Sequence, residues 1–513
     1  MNLIPSLPGL TPNYWCTWCA QGAFRTQAAL ENPTDLKFQG DQGAKYVRES
    51  LREEVLFGPT GWLNTFYPKA RADLYAVLDD GWDVDFGVHP DTQRWKFGAC
   101  ELSAQRFPSF PGEPRAGLKA LNDAVNQAGW RGVGLWIAAQ CVGDGKDGFE
   151  LPQPEVERYW RERARWCHHA GIEYWKVDWG YRCGRPDFRQ MLTEIAKQEA
   201  PGLFVEHTSC MAPVNGAPES AGRFATDASS LEMATRLAGA SDVFRTYDTL
   251  DPLGTPATLD RAYELLKGAK LEPGRLGLLN TEGEIYLGAA LGCAFGALRF
   301  PPIGPGAEAR EVKLDEALRA VRWQRVAPAF GIGQGEVLAS EAILSDDHYF
   351  VKGETWYPPA NAQTVRQSAP AIVARGMSLP IVKSDAEAPY VVASRHPNGA
   401  ISVATLPRHN TTKGNFQPPA DVTIEVGNGE APVGVFGTFH SLALKLTAPL
   451  DNRKVFAQDM AGEVASDITQ FIVSTSPTGF TLEGQLIDRI GLQAATPNDS
   501  SGPGMILSIQ KPI

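Results

Sequence analysis

The chain has no apolar run approaching the roughly 20 residues that a membrane-spanning helix needs, which excludes such a helix. It has no surplus of positive charge either. Fifty-nine Asp and Glu against 48 Lys and Arg leave a formal net charge of −11, which argues against a nucleic-acid or anionic-membrane surface. Cysteine is sparse and one-sided: all eight, from Cys16 to Cys293, precede residue 300 without regular spacing. A disulfide framework is therefore not expected to organise the fold, and reduced core thiols are. Cys16-Thr17-Trp18-Cys19 has CxxC spacing, but no second pair accompanies it, so a strand thiol is expected over a metal or redox site. The eight histidines form no cluster with carboxylates, and no glycine-rich nucleotide fingerprint follows any strand. No metal and no cofactor are expected. The opening Met1-Asn2-Leu3-Ile4-Pro5 lacks a basic n-region, so a cytoplasmic protein without a secretory leader is expected.

What the chain does have is 513 residues of ordinary globular composition, 43% hydrophobic, enough for two or three domains. Two regimes are visible. Up to about residue 325, strand-like runs alternate with helical stretches. The expected strands are Asn13–Trp18, Leu74–Asp80, Gly132–Ala138, Tyr174–Asp178, Leu203–Thr208, Val243–Asp248, Leu276–Asn280 and Gly296–Phe300. The expected helices include Gly117–Ala128, Pro154–Ala170, Pro186–Glu199, Thr258–Lys267 and Leu314–Val326. Such alternation implies a parallel sheet, and eight units fit a (β/α)8 TIM barrel better than an open sheet. An insertion at about 40–70, with a helix over Lys45–Leu56, separates the first two strands. The expected domains are a barrel over 1–328 and a C-terminal antiparallel β-sandwich region over 329–513. In that region short alternating strands recur, as in Tyr390–Ser394, the Asn398-Gly399 turn and Ile401–Ala404. The stretch 407–420 is a candidate seam between two β units.

The most informative stretch is Tyr174-Trp175-Lys176-Val177-Asp178-Trp179-Gly180. Strand side chains alternate, so Lys176 and Asp178 point to one side of the sheet. In a dry interior such charges neutralise. Lining a polar pocket, the ammonium would keep Asp178 ionised, as a carboxylate nucleophile requires; the plainer alternative is a structural ion pair capping a strand. Upstream, Leu74–Leu78 runs into Asp79-Asp80-Gly81-Trp82, where carboxylates can accept from sugar hydroxyls and an indole can stack on a sugar ring.

In a TIM barrel the carboxyl ends of the strands form the active-site face. Gathered there would be Trp15 and Trp18, then Asp79, Asp80 and Trp82, then Trp136, Lys176, Asp178, Glu206, His207, Arg245 and Asp248. Paired carboxylates among aromatic walls are the equipment of glycoside hydrolysis. Trp15 and Trp136 read equally well as core fillers between sheet and helices. His207 alternates away from Glu206 and is expected in the core, and His168-His169 is expected as a solvated pair on a helix.

These residues resemble the α-galactosidase (melibiase) superfamily, the glycoside hydrolase clan of families 27 and 36. The resemblance covers about residues 9–305 and rests on Gly9-Leu10-Thr11-Pro12 with Trp15-x-x-Trp18, Leu78-Asp79-Asp80-Gly81-Trp82, and Arg106-Phe107-Pro108. It continues through Gly117-Leu118-Lys119, Gly134-Leu135-Trp136, Tyr174–Asp178 and Val243-Phe244-Arg245-Thr246-Tyr247-Asp248. It implies a retaining, exo-acting glycosidase on terminal α-galactoside-like residues, with Asp178 as nucleophile and Asp248 as acid/base. Asp79, Asp80 and Lys176 match positions that hold glycone hydroxyls, Glu206 and Arg245 match positions near the 2-position, and Trp18 matches an aromatic wall. Trp136 lies on the third strand of the same pocket. The implied partner is a carbohydrate, an oligosaccharide or glycoside.

The chain also departs from the pattern. Trp179 replaces a small or amide residue, Ile137-Ala138-Ala139-Gln140 lacks an acidic pair, and Arg245 and Asp248 stand three apart. Asp251 and Asp227 are therefore fallback acids, and Arg223 is a further candidate cation. A clan relative acting on another glycone, such as an arabinopyranoside or N-acetylgalactosaminide, a raffinose-type transglycosylase, and an inactive carbohydrate-binding homologue stay open.

Overall fold

The computed structural model describes residues 1–22, 46–208, 228–246, 254–298, 313–350, 363–450 and 452–511. Its first half is built from eight short strands: β1 (Asn13–Cys16), β2 (Leu74–Leu78), β3 (Gly132–Ile137), β4 (Tyr174–Val177), β5 (Phe204–Thr208), β6 (Val243–Arg245), β7 (Leu278–Asn280) and β8 (Gly296–Ala297). All pair in parallel in the order β7-β6-β5-β4-β3-β2-β1-β8. The ring meets at a bridge between Asn280 and Ala294, which completes the (β/α)8 barrel read from the sequence. The outer helices named here are α1 (Pro114–Gln127), α2 (Gln153–Ala170), α3 (Pro186–Glu199), α4 (Ala228–Gly239), α5 (Gly254–Gly268), α6 (Ile285–Leu291) and α7 (Leu314–Val326).

The strands read as near-continuous apolar runs because both of their faces are covered. One face turns inward, where Tyr14, Cys16, Tyr75, Val77 and Tyr174 form their own buried cluster. The other turns out against the helices. Trp15 belongs there, with its ring centroid 5.2 Å from Phe66 and 5.4 Å from Trp130. Its core-filler reading is the one the structure has, because Trp15 lies one residue out of step with the inward Tyr14 and Cys16.

Several boundaries differ from expectation by a few residues, and two of the differences bear on the site. β1 stops at Cys16 and residues 18–22 are helical, so Trp18 and Cys19 are not on a strand. The single helix expected over Lys45–Leu56 is instead a helical turn at 46–49 followed by short helices Glu53–Phe57 and Trp62–Thr65. The break has a cause. Arg106 Nη1 donates to the carbonyls of Arg48 (2.8 Å) and Leu51 (2.9 Å), and the Glu53 amide donates back to the Arg106 carbonyl at 2.9 Å. A buried guanidinium thus takes the carbonyls that a continuing helix would use.

Beyond α7 the chain makes two facing sheets. One orders Ser466–Asp467, Lys454–Asp459, Gly504–Gln510, Val433–Phe436, Ile401–Leu406, Tyr390–Arg395, Ile372–Arg375 and Val337–Ala339. The other orders Ile381–Lys383, Asp421–Gly427, Ser441–Leu446, Gly479–Glu483 and Val473–Ser476. A separate apolar core lies between them. The pairing is mostly antiparallel, as expected of a β-sandwich, but three pairs are parallel: 372–375 with 390–395, 401–406 with 433–436, and 421–427 with 441–446. In each case the chain crosses to the opposite sheet and returns, so the returning strand runs the same way. The stretch 407–420 carries a small hairpin, Arg408–Asn410 with Gly414–Phe416.

The barrel and the sandwich share α6, every residue of which is buried. Ser394 and Ser402 each donate to the Ala290 carbonyl at 2.8 Å, and Arg375 caps the Leu291 and Gly292 carbonyls at 3.2 and 3.3 Å. A buried bidentate pair, Arg319 with Asp459 at 3.0 and 3.2 Å, ties α7 to the sandwich.

Candidate active site

The register of the barrel decides which charged groups meet. Trp136 on β3 stands beside Lys176 on β4, and Lys176 stands beside Glu206 on β5. Arg245 on β6 lies beside Thr208 and Asn280. Gly134 helps make room. A Cβ there would fall 2.6 Å from the Val77 side chain and 3.3 Å from that of Tyr174, so a larger residue would crowd the inner layer.

Asp178 follows β4 directly. Its amide donates to the Ile137 carbonyl at 2.9 Å, and Arg189 Nη2 donates to its carbonyl at 2.7 Å, which fixes the backbone. The Trp136 indole N–H donates to Asp178 Oδ2 at 3.0 Å, and Arg245 Nη2 stands 3.5 Å from Oδ1. The carboxylate side chain is still 13% exposed and so remains reachable from solvent. Burial opposes its ionisation, yet Arg245, Lys176 and the Trp136 donor prevail and hold its pKa below the usual carboxylate value.

Lys176 was expected to lie against Asp178. Its ammonium instead donates to Asp79 Oδ2 at 2.7 Å, and Arg245 is the larger positive influence on Asp178. Asp79 lies on β2's inward parity, directly in the path of Lys176. The Cys16 thiol also donates to Asp79 Oδ2, at 2.9 Å, and burial with Asp79 beside it pushes that thiol's pKa far up, so it stays protonated. Burial and Arg245 both oppose the charge on Lys176, but Asp79, with Cys16 and Glu282 beyond, holds its pKa well above the usual ammonium range.

Asp80 points the other way from Asp79. Its Oδ2 accepts from Arg48 Nε at 2.7 Å and from the Trp179 indole at 3.0 Å, while Oδ1 is buried with no hydrogen-bond partner among the described residues. Burial raises its pKa against the pull of Arg48. Trp179 is held between Arg48 and Arg94, 5.5 and 5.4 Å from its ring, and lies 5.2 Å from Trp136. Trp136 is itself fully buried, and the half-buried Trp179 is the indole that reaches the surface beside it. Trp82, expected to stack on a sugar, is fully buried and spends its N–H on the Trp136 carbonyl at 2.8 Å. Trp18 is half-buried beside the inner aromatic layer.

Glu206 is wholly buried inside the barrel. It accepts from Tyr174 at 2.8 Å and from Asn280 at 2.5 Å, and burial raises its pKa. His207, on the outward face, shares a 2.8 Å hydrogen bond with Thr193, and burial drives its pKa far down, so it is a neutral core group as its parity suggested. His168 and His169 are exposed at the end of α2. Asp248, Asp251, Asp227 and Arg223 lie outside the described residues. Two residues of the mouth escaped the sequence reading. Arg48 sits in the insertion, whose register no pattern reveals, and Glu282 follows β7 where the apolar signal has already ended. Among the described residues there is no metal-binding cluster of His, Cys, Asp or Glu, and no helix is long and apolar enough to cross a membrane.

The site therefore offers an ionised carboxylate at a reachable position, a lysine–aspartate pair and an arginine–aspartate pair beside it, and the indoles of Trp136 and Trp179 next to it. Carboxylates, cations and indole rings are side-chain types that can bind a hydroxyl-rich ring. No family model matches the chain, and no curated protein does. Among solved structures, a candidate α-N-acetylgalactosaminidase from Bacillus halodurans aligns with TM-score 0.44 and 11% identity over 100% of this chain and 99% of its own. A candidate α-galactosidase from Bacteroides fragilis aligns with TM-score 0.38 and 10% identity over 98% and 79%. A β-L-arabinopyranosidase from Geobacillus stearothermophilus, complexed with arabinose, aligns with TM-score 0.36 and 10% identity over 88% and 95%. At this degree of likeness they carry no argument about activity.

Proposed function

We propose that the protein is a retaining, exo-acting glycoside hydrolase that removes terminal α-galactoside-like residues from oligosaccharides or glycosides. The observation that carries this reading is Asp178. It is kept ionised by Arg245, Lys176 and the Trp136 N–H, remains reachable from solvent, and stands among sugar-binding groups at the carboxyl end of a barrel strand.

In the first step Asp178 attacks the anomeric carbon while the glycosidic C–O bond breaks, giving a covalent glycosyl-enzyme. Trp136 pins Oδ2, which leaves Oδ1 as the attacking atom. A carboxylic acid, assigned by the resemblance to Asp248, gives its proton to the departing oxygen. In the second step that residue, now a carboxylate, takes a proton from water as the water attacks the anomeric carbon and releases Asp178. Asp79, Lys176, Arg48 and Asp80 line the pocket that would take the glycone hydroxyls. Asp80 engages Arg48 and Trp179 through Oδ2, and its other carboxylate oxygen is the one that would accept from such a hydroxyl. Trp179 walls this pocket without closing off Asp178, which supports an active enzyme over an inactive binding homologue.

The test is a panel of p-nitrophenyl α- and β-glycosides, followed by two substitutions. Asp178→Ala should abolish turnover, because no other group can form the covalent intermediate. Asp248→Ala should spare aryl glycosides with good leaving groups far more than natural glycosides, which need the proton. Near-full activity in Asp178→Ala would end the reading, and the selective pattern appearing in Asp251→Ala or Asp227→Ala would move the acid. We also place the protein in a reducing, cytoplasmic compartment, a reading supported by the buried thiols of Cys16, Cys100, Cys141, Cys167 and Cys293, none of which forms a disulfide among the described residues. Alkylation under denaturing, non-reducing conditions should label most of its thiols.

A further inference from the structure

Arg245 is a buried guanidinium among three carboxylates. Its Nη2 stands 3.5 Å from Asp178 Oδ1 and its Nε 3.5 Å from Glu206, whereas Nη1 donates to Glu282 Oε1 at 3.1 Å. The last contact is the shortest, and it is reinforced: the Tyr14 hydroxyl donates to the same Oε1 at 3.0 Å. Glu282 reaches this position at a conformational cost. Its φ is +44°, in the left-handed region that residues other than glycine rarely adopt. Neighbouring contacts hold it there. Its amide donates to Asn280 Oδ1 at 2.8 Å, the Thr281 amide to the Ala294 carbonyl at 3.0 Å, and the Glu284 amide to the Thr281 carbonyl at 3.1 Å. The strained turn sits at the carboxyl end of β7, and Glu282 is almost wholly buried. A backbone held in this way directs a carboxylate to one end of Arg245.

We propose that Glu282 is a positioning residue for Asp178, acting through Arg245 by holding the guanidinium near the nucleophile without letting it close into a tight ion pair. The proposal rests on Asp178 being the nucleophile. An arginine drawn onto Asp178 would make a two-pronged, short pair and occupy the oxygen that has to attack. Anchored by Glu282 and Tyr14, Arg245 supplies its charge from 3.5 Å and leaves Oδ1 available. Among the described residues, the charged groups facing Asp178 are Arg245 from β6, Lys176 from β4 and Arg189 from α3, with Glu206 and Glu282 beyond Arg245 and Asp79 beyond Lys176. Removing the Glu282 charge takes away a negative neighbour and frees the arginine to approach, and both changes favour the ionised form of Asp178.

The test is Glu282→Gln, with Glu282→Asp as a second variant that keeps the charge but withdraws it by one methylene. Two readouts are used. One is the acid limb of kcat/KM on an aryl glycoside. The other needs no substrate: the pH dependence of Asp178 labelling by a carbodiimide and glycinamide, located by peptide mass. In Glu282→Gln both midpoints should fall by about one pH unit, with kcat lowered. In Glu282→Asp they should fall by less, and that variant carries the test if Gln does not fold. Midpoints that stay in place or rise in a folded variant would overturn the proposal, because a merely structural glutamate would alter stability and leave them alone. A labelling midpoint that falls in a protein hydrolysing no glycoside would leave the positioning role standing and remove the glycosidase reading.

Discussion

Replacing Trp136 by Phe removes one polar atom from the site and keeps an aromatic ring in its place. The lost atom is the indole N–H, which donates to Asp178 Oδ2 at 3.0 Å. A hydrogen bond to a charged group is worth about 1.5–3 kcal/mol, and a pKa unit corresponds to about 1.36 kcal/mol, so Asp178 should become harder to ionise by about 1–2 units. Arg245 and Lys176 remain and burial is unchanged, which favours the lower end of that range. The acid limb of kcat/KM should move to higher pH by about one unit. Rates on an aryl glycoside with a good leaving group isolate this limb, because they depend little on the proton donor. Thermal melts at neutral pH check that the variant is folded. The direction is opposite to that expected for Glu282→Gln, so the two variants test the same electrostatic account from both sides. A limb that stays in place, or moves to lower pH, in folded Trp136→Phe would refute it. Linkage adds a second check. A carboxylate whose folded pKa lies below its unfolded value stabilises the fold above the ordinary carboxylate range, and that contribution is lost as pH falls through the folded pKa. Trp136→Phe should therefore unfold at a higher pH than the parent in acid titrations.

Two further outcomes follow from the buried charges. Lys176→Met strands Asp79, whose side chain is only 4% exposed, and should cost about 3–5 kcal/mol in urea unfolding, with much of it recovered in Lys176→Met/Asp79→Asn; a cost below about 1 kcal/mol would mean that Asp79 is not held as an ion. Asp83, pushed up to about 7 by burial and then by Asp80, binds its proton more tightly when folded, so its stabilising effect is full below the unfolded value and is lost as pH rises towards 7. Asp83→Asn should flatten the stability profile between about pH 4 and 7, and an unchanged slope there would contradict the assignment.

Much of the barrel was legible because parallel strands buried on both faces are short apolar runs between helices. Each of the eight strands was located, and α3 and α7 were read at the residues where they begin and end. The charged strand ends after β2 and β4 were legible for the same reason, since a carboxylate that interrupts an apolar run is conspicuous. Pairing between strands was not. That Lys176 meets Asp79 instead of Asp178 depends on the register of β2, β3 and β4, which no single strand encodes. Parity within β1 could have placed Trp15 outward, but only once Tyr14 or Cys16 was known to face in. Glu282 was hidden by a backbone turn with positive φ at a residue that gives no glycine signal. The parallel pairs of the sandwich were hidden because hairpin turns announce antiparallel neighbours, whereas crossings between sheets announce nothing.

The buried α6 has a consequence for how the chain is made. Its sequence, Ile285-Tyr286-Leu287-Gly288-Ala289-Ala290-Leu291, offers no polar side except a tyrosine hydroxyl, and it is covered by strands of the sandwich, down to a contact between Tyr286 and Phe436. On a ribosome those strands emerge up to about 145 residues later, a delay of roughly 7–30 s at translation speeds of about 5–20 residues per second. Throughout that interval the nascent barrel carries an uncovered greasy stripe, the kind of surface that holdase chaperones grip and that neighbouring nascent chains stick to. Ribosomes stalled before residue 390 should therefore present a chaperone-bound or aggregating barrel, and those stalled after the final strand a released one.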